Sequence, residues 1–134
     1  MKSPSPYPRA ILFGVLALVT LMIIGVMWAV IEMVALHPGR QQWEYVDSLT
    51  VFYAASAIPV IILYAWAAAR RVTADKAIVT GLIVGALCLI VEWGTQIAST
   101  GALPSPLLLT GGMGLSKLIS GLLGGWLGRQ RPAR

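Results

Sequence analysis

TGLIVGALCLIVEW, residues Thr80–Trp93, is continuously apolar, carries two glycines four apart, and then places a carboxylate, Glu92, where hydrocarbon is expected. An ionisable group inside a membrane helix is costly, so it usually faces a partner or a cavity and marks a candidate site. Similar wording occurs earlier as TLMIIGVMWAVIE, residues Thr20–Glu32. Both stretches predict membrane-crossing helices that end near an acid.

Composition agrees. Of 134 residues, 57% are apolar and 11% are charged. A water-soluble domain carries about 25% charged residues, so this chain lacks the polar surface to be soluble. The net charge is +5. The basic residues sit at the ends of apolar runs, not on one exposed face, which argues against nucleic-acid binding. They read as topology signals and as contacts for anionic lipid headgroups.

Four spans follow from the apolar runs, since roughly 20 apolar residues cross a bilayer. Residues 1–9 form a proline-rich tail in which three prolines disfavour a helix. Residues 10–36 form the first span, stopped by His37-Pro38-Gly39. A hydrophilic loop follows, with Asp47 or Ser48 as the expected cap of the next helix. The second span is 49–69 and contains Pro59. The third is 76–97, capped by Thr73 or Asp75. Residues 98–106 are an uncharged turn, and 107–128 form a glycine-rich fourth span.

Orientation follows from the cations. Lys2, Arg9, Arg70, Arg71, Lys76, Arg129, Arg131 and Arg134 collect on one side, and Arg40 stands alone on the other. The positive-inside rule then places both termini in the cytoplasm. The expected location is the plasma membrane, or the inner membrane of a double-membraned cell. The fold class is thus an all-α integral membrane protein with four transmembrane helices.

The chain also matches itself at a displacement of sixty residues without gaps. Gly25 meets Gly85, Glu32 meets Glu92, Trp66 meets Trp126 and Arg71 meets Arg131. Leucine and valine coincidences carry little weight in apolar helices, so the glycine, glutamate, tryptophan and arginine matches decide. They predict two tandem helical hairpins, residues 10–71 and 72–134, as a parallel repeat about an axis along the membrane normal.

The chemistry-bearing residues within the membrane are Glu32, Glu92 and Lys117. Glu92 lies about six residues, or ~9 Å, outward of its span's midpoint, and superposed repeats would set Glu32 at the matching depth. A helical side chain leans toward its own N-terminus, and a lysine stem can snorkel several ångströms that way, so Lys117 is expected to reach Glu92. Its counterpart in the first repeat is Ala57, which leaves Glu32 without a built-in cation. Glu32 then either remains a protonatable group or meets interfacial water beside His37. Ser116 and Ser120 flank Lys117, either to hydrogen-bond it or to back-bond their own helix. Thr95, Gln96, Ser99 and Thr100 either line a polar vestibule or mark a helix end.

Gly25, Gly81, Gly85, Gly121 and Gly125 are the expected helix-packing positions, because small residues let backbones approach closely in lipid. One cysteine, Cys88, and one histidine, His37, leave no metal cluster or disulfide to expect within a chain, and no cofactor. No catalytic constellation stands out, so the chain is not expected to be an enzyme. Two functions remain: an accessory membrane component that self-associates as a homo-oligomer or docks in a larger membrane complex, and a small proton- or cation-coupled transporter or channel using Glu32, Glu92 and Lys117.

Overall fold

A computed structural model describes residues 5–102 and 107–130. Among these there is no strand. Helix α1 runs Tyr7–Ile31 and continues into a π-helical turn, Glu32–Leu36. A 3₁₀ turn, Gln42–Tyr45, leads into α2, Val46–Ala69. Helix α3 is Ala74–Thr100, and α4 is Leu107–Arg129.

Three of these stretches are long and apolar enough to cross a membrane: Tyr7–Leu36, Trp43–Ala69 and Ala74–Thr100, of 30, 27 and 27 residues. Their outward faces are apolar, with Val34 72% and Met22 68% exposed. In water such a surface would drive aggregation. The architecture is that of a helical membrane protein.

Boundaries depart from the sequence expectation where local chemistry intervenes. Helix α1 already begins at Tyr7, inside the expected tail, with Pro8 in its first turn. Proline is tolerated there because the first N–H groups have no helical acceptor to lose. Residues 1–4 of that tail lie outside the described residues. Neither Asp47 nor Ser48 caps α2. The 3₁₀ turn supplies its entry instead, closed where the Gln41 N–H donates to Glu44 Oε2 at 3.2 Å. Thr73 is the N-cap residue of α3, in extended backbone. That helix runs three residues beyond the expected end and stops at Gly101, whose φ of 71° is the left-handed geometry glycine adopts at little cost. The expected turn 98–106 therefore starts at Gly101, and residues 103–106 are outside the described set.

The helices pack as neighbours in the order α1, α2, α4, α3, with α3 returning to α1. Helix α2 also touches α3, whereas α1 and α4 barely meet among the described residues. A two-fold axis exchanging the hairpins would make those last two pairings equivalent. The neighbour pattern is not of that kind, because α4 is wedged between α2 and α3 and has no counterpart on the α1 side.

Glycine makes the wedge possible. On one face of α4, Gly121 and Gly125 lie against Gly81 of α3 so closely that a Cβ at Gly81 would strike the Gly121 carbonyl oxygen. One step round the helix, Gly124 meets Ala65 and the Ile62 carbonyl of α2, and Gly128 meets Ala69. The core mixes alanines with a few larger aliphatic side chains. Ala17, Leu21, Ala57, Ile61 and Cys88 form one cluster, and Ala10, Ala65, Ala68 and Val84 form a second. Tyr64 touches both clusters, and its hydroxyl lies 2.7 Å from Thr20 Oγ1.

The two ends of the bundle differ in charge. At one end Arg9 donates to the Arg71 carbonyl at 2.7 Å, and the Arg70 guanidinium lies 4.5 Å from the centre of the Trp66 ring. Lys76 and Arg129 close the adjoining helices at this basic end. The other end carries Glu32, Glu44, Asp47 and Glu92.

Candidate functional site

The site begins with Gly85. A Cβ there would collide with the Lys117 carbonyl oxygen, so its absence brings the Lys117 backbone directly against α3. Glu92 lies seven residues further along α3, about 10 Å toward the acidic end. Helix α4 runs antiparallel, so the lysine's lean toward its own N-terminus is a lean toward Glu92. The two long side chains close the gap, and Lys117 Nζ meets Glu92 Oε2 in an ion pair. The pair is lopsided: the lysine side chain is 4% exposed and the glutamate 30%. Lys117 also lies 6.0 Å from the centre of the Tyr53 ring on α2.

The exposed side of Glu92 faces a cavity of about 440 Å³. Met33 of the π-helical turn, Leu49 and Tyr53 of α2, Gln96 of α3 and Met113 of α4 contribute to its walls. A volume of that order matches a small-molecule site, and the mix fits as well: apolar and aromatic walls with a few convergent polar groups. Tyr45 is also in the lining, but its hydroxyl is committed to the His37 carbonyl at 2.6 Å.

The serine and threonine hydroxyls near the site turn back on their own helices. Ser116 donates to the Met113 carbonyl and Ser120 to the Ser116 carbonyl, each at 2.7 Å. Neither hydroxyl is hydrogen-bonded to Lys117. Thr95 donates to Glu92 O at 2.8 Å, and Ser99 and Thr100 both donate to Gln96 O. Of the four polar residues ending α3, only Gln96 lines the cavity.

Glu32 occupies different surroundings. It does not reach interfacial water, being 4% exposed. His37 Nδ1 is 4.0 Å from Glu32 Oε1, and Oε2 has no hydrogen-bond partner. Trp28, one turn back on the same helix face, stacks on Phe52 with ring centres 4.1 Å apart and leaves its own Nε1 buried and unpartnered. The three membrane charges thus divide. Glu92 and Lys117 form one site, and Glu32 faces His37 instead.

Of the expected packing glycines, Gly81, Gly85, Gly121 and Gly125 meet at the α3–α4 crossing. Gly25 does not make a close approach: a Cβ there would come only to 3.8 Å from Tyr53. Gly14, against Leu87 of α3, is a tight position that glycine spacing does not mark, because its partner is a leucine far along the chain. The cavity walls were missed for a related reason. Met33, Tyr53 and Met113 carry no charge anomaly and read as ordinary apolar residues.

No family model matches the chain, and neither does any curated protein or solved structure.

Proposed function

We propose that this chain is a small, non-enzymatic transporter of the plasma membrane that takes an amphiphile with a hydrogen-bond-donating head into the acidic-end cavity. In this reading α4 is a fourth span, both termini are cytoplasmic, and the cavity opens from the outer half of the bilayer. The gathering of Arg9, Arg70, Arg71, Lys76 and Arg129 at one end supports that orientation.

The observation that carries the proposal is the half-exposed carboxylate at the cavity wall, tethered to a buried lysine. Lys117 already neutralises Glu92. A permanently cationic ligand would create two positive charges on one negative in a low-dielectric site, which is expensive. A weakly basic amine avoids this by shedding its proton, and its N–H groups still find Glu92 and Gln96. Its apolar body packs against Met33, Leu49 and Met113.

The accessory reading drew on small-residue faces as docking surfaces. The glycine face at the α3–α4 crossing is filled from within the bundle, while Gly94, Gly111 and Gly112 meet nothing within 4 Å, so docking on a partner would fall on those open positions.

The test uses purified protein in liposomes and a fluorescent aminoacridine. Saturable, protein-dependent dye uptake is expected, reduced at least ten-fold by Ala54→Phe, which fills the cavity without touching a charge. Dye uptake identical to that of protein-free liposomes would sink the transporter reading and return the accessory one.

A further inference from the structure

The second polar site lies outside the cavity and is not used by the reading above. Glu32 is a carboxylate buried to 4% exposure with one oxygen unpartnered, and Trp28 presents a buried, unpartnered N–H one turn away. On a helix, residues four apart share a face. An orphan acceptor and an orphan donor on one face, in lipid, are each costly unless satisfied. A water molecule between them would satisfy both, accepting from the indole and donating to the carboxylate, as buried waters commonly do. A cation does not fit, because the indole N–H would point its positive end at it.

The other carboxylate oxygen faces His37, whose side chain is 45% exposed at the acidic end. The backbone between them is π-helical, with the His37 N–H donating to Glu32 O at 2.9 Å. Such turns recur at functional sites. The Tyr45 hydroxyl holds the His37 carbonyl and fixes where the ring starts.

We propose that Glu32 is a proton-binding group, supplied from the acidic end by His37 and hydrated on its far side by a water shared with Trp28. A proton taken from solvent by the imidazole leaves Nδ1 for Glu32 Oε1, and the ring returns to its neutral form. The 4.0 Å separation closes to hydrogen-bond distance with a side-chain shift of about 1 Å. The other titratable or charged groups on packed elements are engaged elsewhere or exposed. Glu44 accepts from Gln41, Tyr45 donates to His37 O, Asp47 is exposed in the first turn of α2, and Glu92 holds Lys117. Tyr53 lies against the cavity.

Infrared difference spectra of the full chain in lipid nanodiscs, taken after a drop in pH, test this without any ligand. The wild type is expected to gain a protonated-carboxyl stretch that Glu32→Gln lacks. Trp28→Phe should shift that band's frequency, and His37→Ala should slow its appearance several-fold. Wild-type and Glu32→Gln spectra that superimpose would overturn the proton site. If Glu32→Gln does not fold, an unchanged frequency in Trp28→Phe together with an unchanged rate in His37→Ala overturns it equally. A band lost in Glu32→Gln but unmoved in Trp28→Phe overturns the shared water.

Discussion

Lys117 has almost no contact with solvent while its partner keeps an open side. That asymmetry predicts unequal costs for removing either charge. Glu92→Gln strands a cation in the bundle, and the expected loss is roughly 3–5 kcal/mol. Lys117→Met strands a carboxylate that still faces the cavity, so its loss should be smaller. The double substitution should recover most of the Glu92→Gln loss, since replacing a buried pair with apolar groups is often neutral. Denaturant titration in detergent micelles measures all three, and equal costs for the two single variants would contradict the assigned burial. Both members of this pair were legible in the chain, because a charge in an apolar run stands out wherever it falls. The burial of Glu32 was not legible. Glu32 opens a π-helical turn, and which neighbours enclose it is not written in the spacing of Glu32 itself.

As the proposed fourth span, helix α4 tolerates its many glycines because lipid offers the backbone no other partner, and it uses them as contact surfaces. Gly121→Ala should therefore cost about 1–3 kcal/mol, since the added methyl meets the Gly81 carbonyl. Gly25→Ala should change stability by less than about 0.5 kcal/mol. Thermal unfolding in one detergent compares the two, and a Gly25 variant as damaged as the Gly121 variant would refute the packing described. Gly101→Ala tests a different property. Nothing lies within 4 Å of its Cβ position, so its cost is backbone strain alone, about 1 kcal/mol at the end of α3. Apolar run length located all four helices within a few residues. It failed at the entries to α1 and α2 because proline in a first turn and a short 3₁₀ segment both look like loop residues.

At the scale of the whole molecule the separation of charge between the two ends carries the proposed orientation. With Cys88→Ala as background, a cysteine placed by Gly39→Cys should react with a membrane-impermeant maleimide on intact cells. One placed by Ala74→Cys should react only after permeabilisation. The reverse pattern would invert the proposed orientation, and labelling of both on intact cells would break it. Packing order is the other property of this scale. The hairpins match in sequence at a displacement of sixty residues, yet α4 meets α2 and α3 while barely touching α1. A match along the chain constrains each hairpin locally and leaves open which helix lies beside which.

Apolar length, clustered cations and isolated acids sufficed to establish from the residues alone that this is a helical membrane chain with ionisable groups near one end. Those properties are additive along the chain and need no knowledge of neighbours. Only the folded bundle decided that Glu92 borders a cavity, that Glu32 is enclosed apart from it, and that Gly25 is open where Gly85 is crowded. Each of these depends on which helix faces which, and helices coated on all sides with similar apolar residues do not declare their partners.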